Sequence, residues 1–209
     1  EFTLKGYSRY LNAAKKKGYS GVAIYSKHKP KKICKDFPKS IFNDEGRFIS
    51  IEHKNYEIIS IYFPSGSSGE ERQMHKYKFM NLFEKLIKKK LKDNKKLIIC
   101  GDYNIAHTKD DIRNWRSNQK NSGFLPRERE WMSKILNEVG LIDAFRKKCK
   151  QNDIYTWWSN RGNAYTNNVG WRIDYQLVSN NLQDKIKSVS VYKKEKFSDH
   201  APLIINYNV

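Results

Sequence analysis

Residues 97–104 read LIICGDYN, an apolar run that breaks at Gly101 and is followed at once by Asp102 and Asn104. Four apolar residues with no polar interruption, followed by a turn signal, describe a short strand buried in the middle of a sheet. A strand end is where a rigid scaffold can offer side chains to a cleft. Two residues apart on an extended chain, the Asp102 carboxylate and the Asn104 amide point to the same side and together could hold a water molecule. Gly-Asp after a strand is also an ordinary turn, so the meaning of this pair depends on what surrounds it.

Upstream, residues 70–91 place Met74, Tyr77, Leu82, Phe83, Leu86, Ile87 and Leu91 near one face of a helix with lysines elsewhere. Before that helix, residues 21–27 (GVAIYSK) and 58–63 (IISIYF) are expected as buried strands, with an alternating strand over residues 47–52 between them. Downstream, a second helix is expected from Pro126, a residue suited to a first turn, to Gly140, which tolerates a left-handed cap. Three β-rich runs close the chain: WRIDYQLVS (171–179), KIKSVSVYK (185–193) and APLIINYN (201–208). The order strands, helix, strand, helix, strands predicts an α/β sandwich in a single domain spanning residues 1–209.

Composition bounds the partner. Lys and Arg number 41 against 22 Asp and Glu, a formal net charge of +19, and such an excess attracts a polyanion, nucleic acid first. The basic tract at residues 85–96 (KLIKKKLKDNKK) is expected to end the first helix, where cations complement the helix dipole. Three scattered cysteines, Cys34, Cys100 and Cys149, exclude a disulfide framework or a four-cysteine zinc site and fit a reducing cytoplasm. No apolar run approaches the roughly 20 residues that cross a bilayer, so no membrane partner is expected.

Further polar residues sit where strands end. Ser198-Asp199-His200 precedes the last apolar run, and adjacent Asp and His side chains on an extended chain face opposite ways, one free for a cation and the other for a phosphoryl oxygen. Asp174 lies inside an apolar, aromatic strand, where an unpaired carboxylate is costly. His200 is its natural partner, since an Asp–His pair raises imidazole basicity and fixes its tautomer. Tyr62 ends a strand before Pro64 and could donate its hydroxyl to a phosphate. Trp157, Trp158 and Trp171, with Asn168 and Arg172 nearby, are candidates for a pocket wall or a stacking surface. The polar stretch 108–124, which carries Arg113, is long enough for a functional loop.

Taken together, YSGVAIYSK, IYFPSG, IICGDYNIAHTKDDI, GFLPREREWM, GLIDAFR, TWW, NVGWRIDYQLVS and FSDHAPL resemble, in order, the blocks of bacterial exonuclease III-type AP endonucleases, within the DNase I-like metallophosphodiesterases. The resemblance implies a four-layered α/β sandwich of two packed mixed β-sheets flanked by helices. It implies Mg2+, with Mn2+ an alternative, near Asp102, Asn104 and Asp199. Asp102 would orient or deprotonate the attacking water, Asn104 would place it, Tyr62 would touch the scissile phosphate, and His200, paired with Asp174, would stabilise it. Arg113, Trp157, Trp158, Trp171, Asn168 and Arg172 would contact DNA, Trp157 and Trp171 lining a pocket for the flipped, baseless sugar. The implied partner is double-stranded DNA with abasic or 3′-blocked sites, acted on by a monomer in the bacterial cytoplasm and nucleoid.

Family members begin with a strand, a helix and a second strand that ends in a metal-ligating Glu, on the order of 50 residues that have no counterpart here. Glu1 falls after that ligand and does not replace it. The domain is therefore expected to lack its first strand-helix-strand unit, and a catalytically inactive DNA-binding fragment is one alternative reading. Another is a phosphatase or lipid phosphodiesterase of the same superfamily, against which GWRIDY and GFLPREREW stand.

Overall fold

The computed structural model describes residues 3–37 and 40–209. Its centre is a six-stranded mixed sheet in the order β3 (Lys32–Cys34), β4 (Phe48–Glu52), β5 (Glu57–Tyr62), β6 (Leu97–Asp102), β10 (Asp174–Ser179) and β7 (Leu141–Asp143). The one parallel step among these, β5 to β6, is bridged by α1 (Glu70–Lys92), as a parallel pair requires a crossover.

Because side chains alternate along a strand, each strand feeds both faces of the sheet. Ile59, Ile61, Leu97, Ile99 and Leu177 point to the face covered by α1, through Phe79, Phe83 and Ile87, and by α3 (Pro126–Asn137), through Trp131, Met132 and Ile135. On the other face, Ile49 and Ile51 meet Val22 and Ile24 of a hairpin made from β1 (Ser8–Ala13) and β2 (Gly21–Ser26). There too Ile98 and Val178 meet Ile186, Val189 and Ile205 of the hairpin β11 (Ile186–Val191) and β12 (Leu203–Tyr207). The layered α/β architecture expected from the sequence is present. Among the described residues its second strand layer consists of these two hairpins, which do not pair with each other.

Three local expectations change. Residues 48–51 are all buried, since both faces of β4 are covered and no side is left to water. The run 171–179 breaks in two: β9 (Gly170–Trp171) pairs with β8 (Trp157–Trp158), and β10 joins the main sheet only from Asp174. Between them the backbone N–H of Arg172 donates to the Asp111 carbonyl and that of Ile173 to the Thr156 hydroxyl. The polar stretch 108–124 is ordered by a 3-10 turn (Lys109–Asp111) and by the short α2 (Trp115–Asn118). Asp111 closes that turn by accepting from the backbone N–H and hydroxyl of Thr108. The remaining helix, α4 (Ala144–Lys148), follows β7 directly with Asp143 as its cap. Among the described residues no helix is long and apolar enough to cross a membrane.

Candidate active site

Sheet register builds the site. Tyr62, the last residue of β5, stands beside Asp102, the last residue of β6, and Asp102 stands opposite Asp174, the first residue of β10. Three strand ends thus deliver a phenol and two carboxylates to one row. The row is tight because residue 101 is glycine: a Cβ there would lie 1.8 Å from the Ile61 carbonyl oxygen.

Asn104 joins Asp102 by a route that spacing did not describe. The chain does not stay extended after Asp102 but turns back through Asn104 in the left-handed region, at φ 51°, a conformation that asparagine tolerates better than most residues. The Asn104 backbone N–H then donates to Asp102 Oδ1 at 2.7 Å and its Nδ2 to Asp102 Oδ2 at 3.0 Å. A further bond from Nδ2 to the Phe63 carbonyl, at 3.0 Å, fixes the amide and turns its Oδ1 away as a free acceptor.

His200 reaches the row from the loop before β12, and its Nδ1 lies 2.9 Å from Asp174 Oδ2. Burial opposes charging this imidazole, but the hydrogen bond and charge of Asp174, with Asp102 beyond it, push its pKa up to about 9. Burial and the neighbouring charge of Asp174 push the Asp102 carboxyl in the same direction, above the usual carboxylate range. Burial and the charge of Asp102 raise the Tyr62 phenol as well, so it stays a neutral O–H donor at physiological pH. The arrangement gathers an acceptor poised to take a proton, a cationic donor and a neutral donor around one point.

That point opens into a cleft of about 900 Å³ whose walls include Tyr62, Asp102, Asn104, Trp157, Trp171 and His200. The indoles of Trp157 and Trp171 meet edge to face at 6.1 Å, and Trp157 Nε1 donates to Asp199 Oδ2 at 3.0 Å. Asp199 is thereby tied to the cleft wall with its other oxygen unbonded.

Four expected DNA contacts fall elsewhere. Arg172 is 1% exposed; its guanidinium pairs with Asp111 at 2.7 Å and with Asp143 at 2.8 Å and lies over the Tyr175 ring. It holds the loop to the sheet and has no face for a phosphate. Trp158 is likewise buried, its Nε1 bonded to Asn168 Oδ1, and Asn168 spends its Nδ2 on the Asp153 carbonyl. On a two-residue strand, adjacent tryptophans face opposite ways, so of the pair only Trp157 looks into the cleft. Arg113 is exposed, paired with Asp153 at 3.0 Å, and is not among the residues lining the cleft.

Sequence reading also passed over residues that matter. Gln73 and Ser122 line the cleft beside Ser65 and Arg161, which the sequence does bring to notice, and Lys76 and Glu128, both fully buried, form an ion pair behind it. Nothing in the sequence separates Lys76 from the lysines around it, and Glu128 reads as one more exposed helix carboxylate.

The oxygen donors Asp102, Asn104 and Asp199 are of the kind that suits a hard divalent cation, and the crowding of Asp102 against Asp174 favours positive charge there. Among the described residues no three Asp, Glu, His or Cys side chains are grouped so that they could hold a metal ion by themselves. A cation held here would therefore keep several waters, as magnesium commonly does. Glu1 lies outside the described residues.

Comparison with known proteins identifies the family. The profile of the endonuclease/exonuclease/phosphatase family matches residues 2–200. An exodeoxyribonuclease of Bacillus subtilis is 37% identical over 203 residues, covering 96% of this chain and 80% of that protein. A DNA-(apurinic or apyrimidinic site) endonuclease of Dictyostelium discoideum is 35% identical over 202 residues, and this chain spans 56% of its length. An AP endonuclease structure from Archaeoglobus fulgidus superposes with a TM-score of 0.89 at 28% identity, covering 98% of this chain and 80% of that one. With the strand-end row and the order of its sequence blocks accounted for together, the chain belongs to the endonuclease/exonuclease/phosphatase family, among the exonuclease III-type AP endonucleases.

Proposed function

We propose that this protein is a DNA repair nuclease that hydrolyses the phosphodiester on the 5′ side of abasic sites in duplex DNA, with 3′–5′ exonuclease and 3′-repair phosphodiesterase activity at the same site. The observation that carries this reading is the row of Tyr62, Asp102 and Asp174 with His200 bonded to Asp174, set in a cleft walled by two indoles.

In this reading the formal charge of +19 draws the duplex in, and the baseless sugar, turned out of the helix, rests against Trp157 and Trp171. Tyr62 donates its hydroxyl to one phosphoryl oxygen, and His200, kept cationic by Asp174, donates its remaining ring N–H to another. Asp102 and Asn104 hold a water in line with the phosphorus, and Asp102 takes its proton as the oxygen attacks. The water oxygen bonds to phosphorus, the bond to the 3′ oxygen breaks, and that oxygen takes a proton from solvent and leaves as a 3′-hydroxyl, with deoxyribose phosphate on the other side. A Mg2+ ion held by Asp102, Asn104 and Asp199, or Mn2+ in its place, would supply Lewis-acid stabilisation of the charge that builds on phosphate.

The test is incision of duplex DNA carrying one abasic analogue, by the longest gene product that contains this chain, with magnesium and with chelator. Incision that requires the metal and disappears in Asp102→Asn and His200→Asn is the expected result. A folded protein that binds the duplex without cutting it would overturn the reading in favour of a noncatalytic DNA-binding role.

A further inference from the structure

Lys76 is the one lysine buried among the described residues. It sits on the face of α1 that carries Phe79, Met80 and Phe83 into the core, where an apolar side chain would pack as well. A buried Lys–Glu pair is a poor way to gain stability, since desolvating both charges offsets most of their attraction. What this pair reaches is specific. The Lys76 ammonium donates at 2.7 Å to the backbone carbonyl of Asn104, the left-handed residue whose amide groups clasp both oxygens of Asp102. Its partner Glu128 accepts, on Oε2, from the backbone N–H of Gly123 at 2.7 Å and of Leu125 at 3.0 Å. Gly123 and Leu125 also line the cleft, Gly123 close beside the Asn104 carbonyl. One ion pair therefore ties the Asn104 segment and the 123–125 segment to a single point behind the attacking water's place.

We propose that Lys76, held by Glu128, is a positioning residue that fixes the Asn104–Asp102 unit for hydrolysis. This rests on the nuclease reading above, because Asp102 and Asn104 matter to catalysis only if they hold the water. Lys76 touches no substrate and acts through its bond to the Asn104 carbonyl. A small displacement there changes the aim of the water, and misplacement on the order of 1 Å costs about a hundredfold in rate.

Removing one charge would strand the other in the core, so the informative variant is the double Lys76→Gln, Glu128→Gln. Lys76→Met with Glu128→Gln serves where the first packs poorly. Two quantities are read on folded protein: kcat and KM on the abasic duplex, and the NMR position and exchange rate of the Asn104 amide proton, which needs no activity. The expected result is a kcat at least ~10-fold lower with KM unchanged, and an Asn104 amide that shifts and exchanges faster. A folded double variant with wild-type kcat and an unmoved Asn104 amide would overturn the proposal and leave the pair a structural strut. If the wild-type protein cuts no abasic duplex while the amide still moves in the variant, the nuclease reading has failed and the tether of Asn104 by Lys76 stands.

Discussion

Asp174 stands directly opposite Asp102 across two antiparallel strands, so two carboxylates that would repel one another are held side by side by sheet register alone. His200 relieves the crowding from one side by bonding to Asp174. The pairing divides the labour, Asp174 serving the imidazole and Asp102 the water.

That division predicts unequal consequences for removing each group. Asp102→Asn keeps the shape and the bond to the Asn104 N–H but loses the proton acceptor, and kcat should fall by about 10²–10⁴-fold with little change in the far-ultraviolet spectrum. Asp174→Asn should cost less in kcat than Asp102→Asn, because the imidazole stays in place with a weaker partner. Single-turnover rates on one abasic duplex rank the two, and equal losses would contradict separate roles.

The Asp174–His200 bond predicts a titration. A pKa raised to about 9 in the folded protein, against about 6.5 in an unfolded chain, means that the pair stabilises the fold fully below about pH 6.5. That contribution is lost as pH climbs toward 9. Imidazole NMR in the presence of chelator should find His200 titrating well above the ordinary histidine range, and Asp174→Asn should bring it down. A wild-type midpoint near 6.5 would refute the coupling.

The two arginines expected on DNA should differ sharply in stability. Arg172→Met leaves Asp143 without its cation and Asp111 with Arg146 alone, and should cost about 3–5 kcal/mol, whereas Arg113→Ala breaks an exposed pair worth less than about 1 kcal/mol. Urea denaturation of both variants checks this. Although burial opposes it, Arg172 and then Arg146 hold the Asp111 carboxyl well below the usual carboxylate range. Its contribution is thus present above about pH 3.9 and is lost as pH falls below that value. Arg172→Met should flatten this acid limb.

The tryptophans should separate in the same way. Trp171→Ala removes a cleft wall and should weaken binding of an abasic duplex by about 1–3 kcal/mol, read by fluorescence anisotropy, with a small change in melting temperature. Trp158→Ala empties a buried site and should lower stability by about 3–5 kcal/mol. A Trp158→Ala protein with unchanged stability and weakened DNA binding would restore Trp158 to the interface.

The central strands and long helices were legible because burial leaves a trace: LIIC and IISIYF are apolar runs bounded by turn signals, and the α1 face repeats at helical spacing. Short elements such as β7, β8 and α4 have two to five residues, too few for any period. The break in the run 171–179 was hidden for a related reason. Arg172 and Ile173 follow the strand alternation in sequence, and only the buried carboxylates of Asp111 and Asp143, distant along the chain, draw the arginine inward.

By itself the sequence determined the α/β class, the strand ends at Tyr62 and Asp102, and the Asp174–His200 pairing, since each follows from local pattern or from the cost of an unpaired buried charge. Only the tertiary structure decided which aromatic and basic residues face the cleft, and that Lys76 lies behind it. Those outcomes depend on sheet register and on which distant carboxylate a cation meets, and neither quantity is encoded in the spacing of neighbouring residues.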